Sequence, residues 1–258
     1  MPTVKVNGAH LYYQQTGSGP DIVFLHGAGG NHLSWWQQVA YFAPRYRCTV
    51  YDARGWGRST GDMAAGRWSL GTDLVALLEE LGVKRCHVVA QSMGGRAAAG
   101  MIRLAPERLR SLVLSGTTAG STNDRVRALQ DELRAKRGSR SLREYSLAPG
   151  FEGAQPALTC LYRQINALNP RRPHGLLGRP PRSYRGSMHG AISSTGAPVL
   201  FVVGELDMIT SPELVRESAG LIPGARVHEI KGAGHSSYFE KAPEFNSTVE
   251  RFLAATES

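Results

Sequence analysis

Short apolar runs alternate with helical patterns along most of this 258-residue chain. The apolar runs are nearly continuous, and Asp21-Ile22-Val23-Phe24-Leu25 is typical of them. A strand with this pattern is covered on both faces, as strands are in a parallel sheet between two layers of helices. The repeated strand–helix units therefore predict an α/β fold with a mostly parallel, eight-stranded sheet. The predicted strands are 4–7, 11–15, 21–25, 48–51, 86–90, 112–114, 199–203 and 227–230.

The alternation of strands and helices is interrupted once. The first two strands flank the turn Asn7-Gly8, which is typical of a hairpin at a sheet edge. Between residues 122 and 191 there are two helical patterns and a loop rich in Pro, Gly and Arg. We therefore expect an α/β core formed by residues 1–121 and 192–258, with 122–191 inserted as a helical cap or lid. The predicted helices are 34–42, 69–81, 93–104, 122–137, 155–168, 212–220 and 242–255.

Composition excludes several classes of protein. No apolar run approaches the roughly 20 residues that a membrane-spanning helix needs. The first residues lack the charged and apolar regions of a secretion signal. The three cysteines, Cys48, Cys86 and Cys160, have no metal-ligand spacing, and an odd number without a secretion signal indicates reduced thiols. We therefore expect a cytoplasmic protein without a membrane partner, a metal or another cofactor.

The positive charge is concentrated in one segment. The chain has a net charge of +9, and residues 121–191 alone hold 13 Lys and Arg against 5 Asp and Glu. Such a patch can bind nucleic acid, an anionic membrane or an acidic ligand. No nucleic-acid motif or row of aromatic residues accompanies these arginines, so we do not expect nucleic acid as a partner. A solvated surface and an anionic small molecule are the interpretations that we keep.

The segment Val88-Val89-Ala90-Gln91-Ser92-Met93-Gly94-Gly95 carries the strongest chemical signal. A predicted strand runs directly into a predicted helix, with Ser92 at the junction and small residues on either side. A sharp turn of this kind presents a serine hydroxyl to a base, and only small neighbours let the turn close. The sequence therefore predicts Ser92 as a nucleophile.

This arrangement resembles the α/β-hydrolase family, and the resemblance covers nearly the whole chain. The family's turn is usually Gly-x-Ser-x-Gly, and Ala90 stands at the first small position here. The change adds one methyl group where strand and helix pack closely, and we expect it to be tolerated.

The resemblance also implies two oxyanion donors, the backbone N–H groups of Met93 and Ala28. Ala28 follows a strand in His26-Gly27-Ala28-Gly29-Gly30, which is similar to the family's loop. We expect the His26 side chain to make a structural hydrogen bond in that loop. The run Tyr51 to Ser59 resembles another family turn, in which we expect Asp52 and Arg54 to hold loops near the site without reacting.

The remaining catalytic residues implied by the resemblance follow in the order acid, then histidine. Asp207 comes after the strand 199–203 and is predicted to orient the base, with Glu205 as a rival two residues earlier. His235 lies in Lys231-Gly232-Ala233-Gly234-His235-Ser236 and is predicted to be the general base.

Together these segments imply a serine hydrolase, and small-capped esterases and enol-lactone hydrolases are the most similar branch. We expect a carboxylic ester or lactone as substrate, with an anionic one favoured if insertion arginines bind its carboxylate. Trp35 and Tyr238 are candidate substrate-binding residues, with core packing as the alternative.

Several other functions stay open. Carbon–carbon bond hydrolases of vinylogous diketones share Ser92-Met93-Gly94-Gly95, but they usually have other residues where Gln91 and Ser236 stand. A cofactor-free perhydrolase or haloperoxidase uses the same three residues. Ligand sensing without catalysis, or lyase or cyclase chemistry, is the remaining class.

Overall fold

A computed structural model describes residues 2–61, 70–171 and 186–257 of the chain. Its strands form one eight-stranded sheet in the order β1-β2-β4-β3-β5-β6-β7-β8. The strands are β1 (Thr3–Val6), β2 (Ala9–Thr16), β3 (Asp21–Leu25), β4 (Arg47–Tyr51), β5 (Cys86–Gln91), β6 (Leu109–Ser115), β7 (Val199–Gly204) and β8 (Arg226–Ile230).

The sheet is mostly parallel, as the continuous apolar runs predict. β1 pairs with β2 in antiparallel fashion through the hairpin at Asn7-Gly8, and β2 also pairs antiparallel with β4. Every other neighbouring pair, from β4 across to β8, is parallel. Because parallel strands end at the same edge of a sheet, the residues that follow β3, β5, β6, β7 and β8 come together there. This edge holds the candidate site.

Helices lie on both faces of the sheet. The α-helices of the described residues are α1 (Trp36–Phe42), α2 (Leu70–Glu80), α3 (Gly94–Leu104), α4 (Asp124–Arg137), α5 (Phe151–Ala154), α6 (Pro156–Ala167), α7 (His189–Ser194), α8 (Pro212–Gly220), α9 (Ser237–Glu240) and α10 (Ala242–Glu257). Residue 69, where the second predicted helix begins, lies outside the described residues. Short 3-10 helices cover His32–Trp35, Pro106–Arg108 and Leu142–Tyr145.

Successive residues of a strand pack into two separate apolar cores, one on each face of the sheet. In β3, Val23 and Leu25 face a core with residues of α2, α3 and α8, whereas Ile22 and Phe24 face a second core with α1 and α10. This alternation follows from the pleat of a strand, which points successive side chains to opposite faces. The continuous apolar pattern of the strands is thus explained by a sheet that is covered on both faces.

The segment between β6 and β7 is helical where the structure describes it. It contains α4 to α7 and the 3-10 helix at Leu142–Tyr145. Most of the predicted loop 169–190 lies outside the described residues, which stop at residue 171 and resume at 186. Among the described helices, none has both the length and the apolar character needed to cross a membrane.

Candidate active site

Ser92 occupies a strained turn between β5 and α3. Its φ angle is +49°, in the left-handed region that costs a non-glycine residue about 1–3 kcal/mol. The backbone N–H of Ser92 donates to the carbonyl of Ser115 at 3.0 Å. The turn packs against β3 so closely that a Cβ on Gly94 would lie 2.3 Å from the Leu25 carbonyl oxygen. Ala90 is fully buried in β5, so its extra methyl group is accommodated within the core.

Ala28 and Met93 line the same cavity as Ser92. Met93 is the N-cap of α3, where the helix dipole favours negative charge. No acceptor within the described residues takes the backbone N–H of Met93. The indole N–H of Trp56 donates to the carbonyl of Ala28 at 2.8 Å and holds that peptide in place. Both residues that are predicted to supply oxyanion donors therefore line the cavity together with Ser92.

His235 and Asp207 form a buried pair. The Nδ1 atom of His235 lies 2.8 Å from Oδ2 of Asp207, and their side chains are 6% and 0% exposed. The other carboxylate oxygen of Asp207 accepts the backbone N–H groups of Ile209 at 2.7 Å and Thr210 at 2.9 Å. Since a carboxylate only accepts, Nδ1 of His235 carries the proton and Nε2 is the atom left to act as a base.

Gly116 joins the serine turn to this pair. It follows Ser115, whose carbonyl holds Ser92, and it lines the cavity beside Ser92. A Cβ on Gly116, whose φ is +56°, would lie 3.0 Å from both Nδ1 and Cε1 of His235. The imidazole therefore packs directly on the Gly116 backbone. Thr210, which donates its amide to Asp207, also donates its hydroxyl to the Gly116 carbonyl at 3.0 Å.

The loop that carries His235 is fixed by contacts from both sides. The Gln91 amide donates to the His235 carbonyl at 3.3 Å. Glu240 accepts the backbone N–H of Gly234 at 3.1 Å and that of Ala148, from the insertion, at 2.9 Å. Burial raises the pKa of Glu240, and these backbone donors oppose the rise.

Further contacts join the insertion to the same loop. The backbone N–H of Ser236 donates to the Ser146 carbonyl at 3.0 Å, and the hydroxyls of Tyr162 and Ser236 lie 2.9 Å apart. The insertion thus forms hydrogen bonds with residues of the loop that carries His235.

Glu205, the predicted rival of Asp207, has a different environment. It is exposed and accepts the backbone N–H of Gly232 at 2.8 Å. This contact closes the turn at the start of the histidine loop. Asp207 is therefore the carboxylate that reaches the His235 ring.

The loop after β3 is held by buried polar groups, as expected. His26 contacts the Gly27 carbonyl through Nδ1 at 2.8 Å, and its Nε2 accepts the backbone N–H of Ala53 at 3.0 Å. Burial disfavours the ionised Asp52, but the His32 ring and the Arg58 N–H outweigh it, and the pKa of Asp52 is lowered. The structural interpretation of His26 and Asp52 is therefore confirmed.

Arg54 has a structural role as well. It forms a bidentate pair with Asp73, at 2.8 and 2.9 Å, and both side chains are 2% exposed. This buried pair ties the turn after β4 to α2.

A cavity of about 500 Å³ opens beside Ser92. Its floor comes from the turns after β5 and β6, and one wall is the face of α3 that continues from the serine. The insertion contributes Gln130, Leu142, Gly186 and Met188. Among the described residues that line the cavity, only Arg96 and Arg103 are charged.

Trp35 and Tyr238 lie in the core and not in the cavity lining. They are 0% and 3% exposed, and their ring centroids are 4.5 Å apart. Both belong to the core between the sheet, α1 and α10. This corrects their selection as substrate-binding residues, because neither ring presents a surface to the cavity.

Four of the eight described arginines of the insertion, Arg125, Arg127, Arg134 and Arg163, pair with carboxylates on the surface. Arg125 contacts Glu213 at 2.6 Å, and Arg163 contacts Glu152 at 2.7 Å, all four side chains being exposed. The two arginines of the cavity belong to α3 instead. Arg172, Arg179, Arg182 and Arg185 and the histidine at 174 lie outside the described residues.

Sequence reasoning missed two residues that contact the histidine loop. Gly116 contacts the His235 ring from the turn after β6, and Glu240 accepts an N–H of the histidine loop from the short helix that follows it. The available signals were a glycine two positions after a predicted strand and an acidic residue five positions after the predicted base. Among the described residues, no group of three or more His, Cys, Asp or Glu side chains could hold a metal ion.

A model of the alpha/beta hydrolase family matches residues 22–248 of this chain. The chain is 27% identical to a putative non-heme bromoperoxidase, BpoC, of Mycobacterium tuberculosis, over 96% of this chain and 99% of that protein. It is also 27% identical to a 2-hydroxy-6-oxononadienedioate/2-hydroxy-6-oxononatrienedioate hydrolase of Burkholderia vietnamiensis, over 94% and 90% of the two chains.

Solved structures extend the similarity. An N-acyl homoserine lactone degrading enzyme superposes with a TM-score of 0.75 and 27% identity, over 97% of this chain and 100% of that one.

Proposed function

The chain belongs to the alpha/beta hydrolase family, and on that premise we propose that it cleaves a carboxylic ester or a lactone through an acyl-enzyme on Ser92. His235 is the general base, Asp207 orients it, and the N–H groups of Ala28 and Met93 stabilise the oxyanion. The substrate is a small molecule that fits the cavity beside Ser92.

One observation supports this proposal most strongly. A buried imidazole with its Nδ1 on the Asp207 carboxylate packs against Gly116, which lines the same cavity as Ser92. Because Asp207 also accepts two backbone N–H groups, its carboxylate is held in position. Such a pair beside a serine on a strained turn is what nucleophilic catalysis by a hydroxyl requires.

Acylation follows from these contacts. The Ser92 oxygen attacks the substrate carbonyl carbon while Nε2 of His235 takes the hydroxyl proton. The negative charge on the carbonyl oxygen is met by the two backbone N–H groups, and the loss of one such donor typically costs about 10²–10³ in rate. The protonated imidazole then gives its proton to the leaving alkoxide, and the C–O bond breaks.

Deacylation reverses the roles with water as the nucleophile. His235 takes a proton from water, and the resulting hydroxide attacks the acyl carbon. The tetrahedral intermediate collapses, Ser92 recovers its proton from the imidazole, and the carboxylic acid leaves. With a lactone, the alcohol and the acid are released as one hydroxy acid.

The relatives give this proposal its main competitor. The lactone-degrading structure favours an ester-type bond. The Burkholderia relative is named for hydrolysis of 2-hydroxy-6-oxo dicarboxylates, which contain no ester or lactone, and it therefore favours the alternative of a carbon–carbon bond hydrolase. The bromoperoxidase relative adds perhydrolysis, in which hydrogen peroxide replaces water. All of these reactions use the same serine, base and oxyanion donors.

Covalent labelling tests the nucleophile. A fluorophosphonate probe should label the wild-type protein, and labelling should vanish in Ser92→Ala. The matched control is Ser193→Ala, which removes an exposed hydroxyl from α7 and should label normally. A wild-type protein that never labels would refute the proposal.

A substrate panel tests the reaction. Short aryl esters, lactones, a vinylogous diketone, and acetate with hydrogen peroxide and bromide should be compared on wild-type protein and Ser92→Ala. Serine-dependent turnover of the esters or lactones above the other substrates supports the proposal. Preference for the diketone would move the assignment to a carbon–carbon bond hydrolase.

A further inference from the structure

Arg96 lies on the face of α3 that lines the cavity beside Ser92. Ala99, Gly100 and Arg103 lie three, four and seven positions after Arg96 and line the same cavity. This is the spacing of a single helical stripe. With a rise of about 1.5 Å per residue, Arg103 starts about 10 Å farther along the helix axis than Arg96, which stands in the first turn of α3 after Ser92.

The cavity around Arg96 has a positive electrostatic character. Its described lining contains Arg96 and Arg103 but no Asp or Glu. The polar residues near the serine, Thr117 and Thr118, are neutral. A negatively charged group in this cavity therefore meets two guanidinium groups and, within the described lining, no carboxylate.

Arg96 is reached by solvent and yet surrounded by protein. It is exposed between the buried residues Gly95 and Ala97 of α3. Even so, burial lowers the pKa of its guanidinium, which means that the surroundings disfavour the charge. A carboxylate bound next to it forms charge-assisted hydrogen bonds.

Arg103 sits differently in the same cavity. Its guanidinium contacts the Met188 sulfur and donates to the Gly186 carbonyl at 3.3 Å. These contacts tie α3 to the end of the insertion. At about 10 Å farther along the helix than Arg96, it is too remote to meet a charge on a short acyl group.

We propose that Arg96 binds a carboxylate on the acyl part of the substrate, so that the enzyme prefers short dicarboxylic monoesters or carboxylate-bearing lactones over neutral ones. This inference rests on the proposed function, because the acyl part is fixed beside Arg96 by its bond to Ser92. The positive charge of residues 121–191 suggested that arginines of the insertion bind an anion. The present proposal assigns that role to Arg96, which belongs to α3 of the core.

The test compares two aryl esters of similar acyl length. p-Nitrophenyl hemisuccinate carries a carboxylate, and p-nitrophenyl pentanoate carries an ethyl group in its place. The wild-type enzyme should favour the hemisuccinate in kcat/KM by about ten- to hundredfold, the effect of a hydrogen-bonded charge pair. Arg96→Gln should remove most of this preference, and Arg96→Lys should keep part of it. Arg103→Gln is the matched control and should keep the wild-type ratio.

Each other outcome has a defined meaning. If the wild type labels with fluorophosphonate and hydrolyses both esters equally, the inference fails while the proposed function stands. Loss of the preference in Arg103→Gln but not in Arg96→Gln, or equal loss on both esters in Arg96→Gln, also overturns it. A wild type that neither labels nor turns over any ester overturns both proposals.

A measurement on the wild type alone tests the carboxylate site without depending on whether the Arg96 variants fold. Succinate should inhibit hydrolysis of the neutral ester at lower concentration than pentanoate does. Equal inhibition by the two acids would contradict a carboxylate site beside Ser92.

Discussion

The carboxylate of Glu240 accepts the backbone N–H of Gly234, the residue immediately before His235. The same carboxylate accepts the N–H of Ala148, so one buried side chain fastens the histidine loop to the insertion. Glu240 is not among the described residues that line the cavity, so we expect it to affect the reaction through the position of His235. Its contribution is therefore that of a positioning residue.

Glu240→Gln should lower both stability and turnover. The side-chain oxygen of glutamine can still accept a backbone N–H, but its NH₂ group then faces a backbone N–H, which is also a donor. A buried donor that is left without an acceptor costs about 1–3 kcal/mol. Chemical denaturation should show this loss, and kcat should fall more than KM rises. Glu205→Gln is the matched control, since Glu205 binds Gly232 of the same loop from the surface. Equal effects of the two substitutions would contradict a special role for Glu240.

Asp207→Asn should lower turnover by about 10⁴ without unfolding the protein. The N–H groups of Ile209 and Thr210 require an acceptor, so the Asn oxygen turns to them and its NH₂ faces His235. Nδ1 of the imidazole must then accept, and the proton moves to Nε2, where it blocks the base. Steady-state kinetics and thermal unfolding check both parts. Near-normal turnover in this variant, with strong loss in Glu205→Gln, would reverse the assignment.

Gly116→Ala should impair catalysis beyond its effect on folding. The new Cβ would stand 3.0 Å from the His235 ring and push it, and the positive φ adds about 1–2 kcal/mol of strain. Gly196→Ala is the matched control, with φ at +65° and nothing within 4 Å of the added Cβ. Both variants should lose stability in denaturation, but only Gly116→Ala should lose kcat strongly. Matching kinetics in the two variants would contradict packing of the imidazole on Gly116.

The parts of the fold that sequence reasoning predicted are those that local patterns encode. Continuous apolar runs such as residues 21–25 record burial on both faces of a strand, and the eight-stranded sheet confirms that interpretation. The serine turn is also local, because strand, serine and helix are consecutive. Asp207 and His235 could be named from the resemblance to the family's order of residues, and each lies in the loop after a strand that ends at the same sheet edge.

The remaining features depend on contacts between distant residues. Nothing near Gly116 in the chain indicates that a ring 119 positions later packs on it. The aromatic character of Trp35 and Tyr238 suits a cavity wall as well as a core, and only the packing of α1 on α10 decides between them. Counting charges located an arginine-rich segment but could not show that the arginines of the cavity come from α3.

The buried His87 should make the free energy of unfolding depend on pH. It lies in β5 with its Nδ1 2.8 Å from the Ser111 hydroxyl, and burial, with Arg110 and Arg85 nearby, lowers its pKa to about 4. In the unfolded chain a histidine takes up a proton near pH 6.5, so between about pH 6.5 and 4 the unfolded state holds the extra proton. Stability is therefore complete above this window and falls as the pH drops, by about 2 kcal/mol between pH 7 and pH 5 for this group. Urea unfolding at the two pH values should show that His87→Gln loses less stability on acidification than the wild type. His10→Gln, the same substitution at an exposed position of β2, is the control, and an equal pH dependence in wild type and His87→Gln would contradict the assignment.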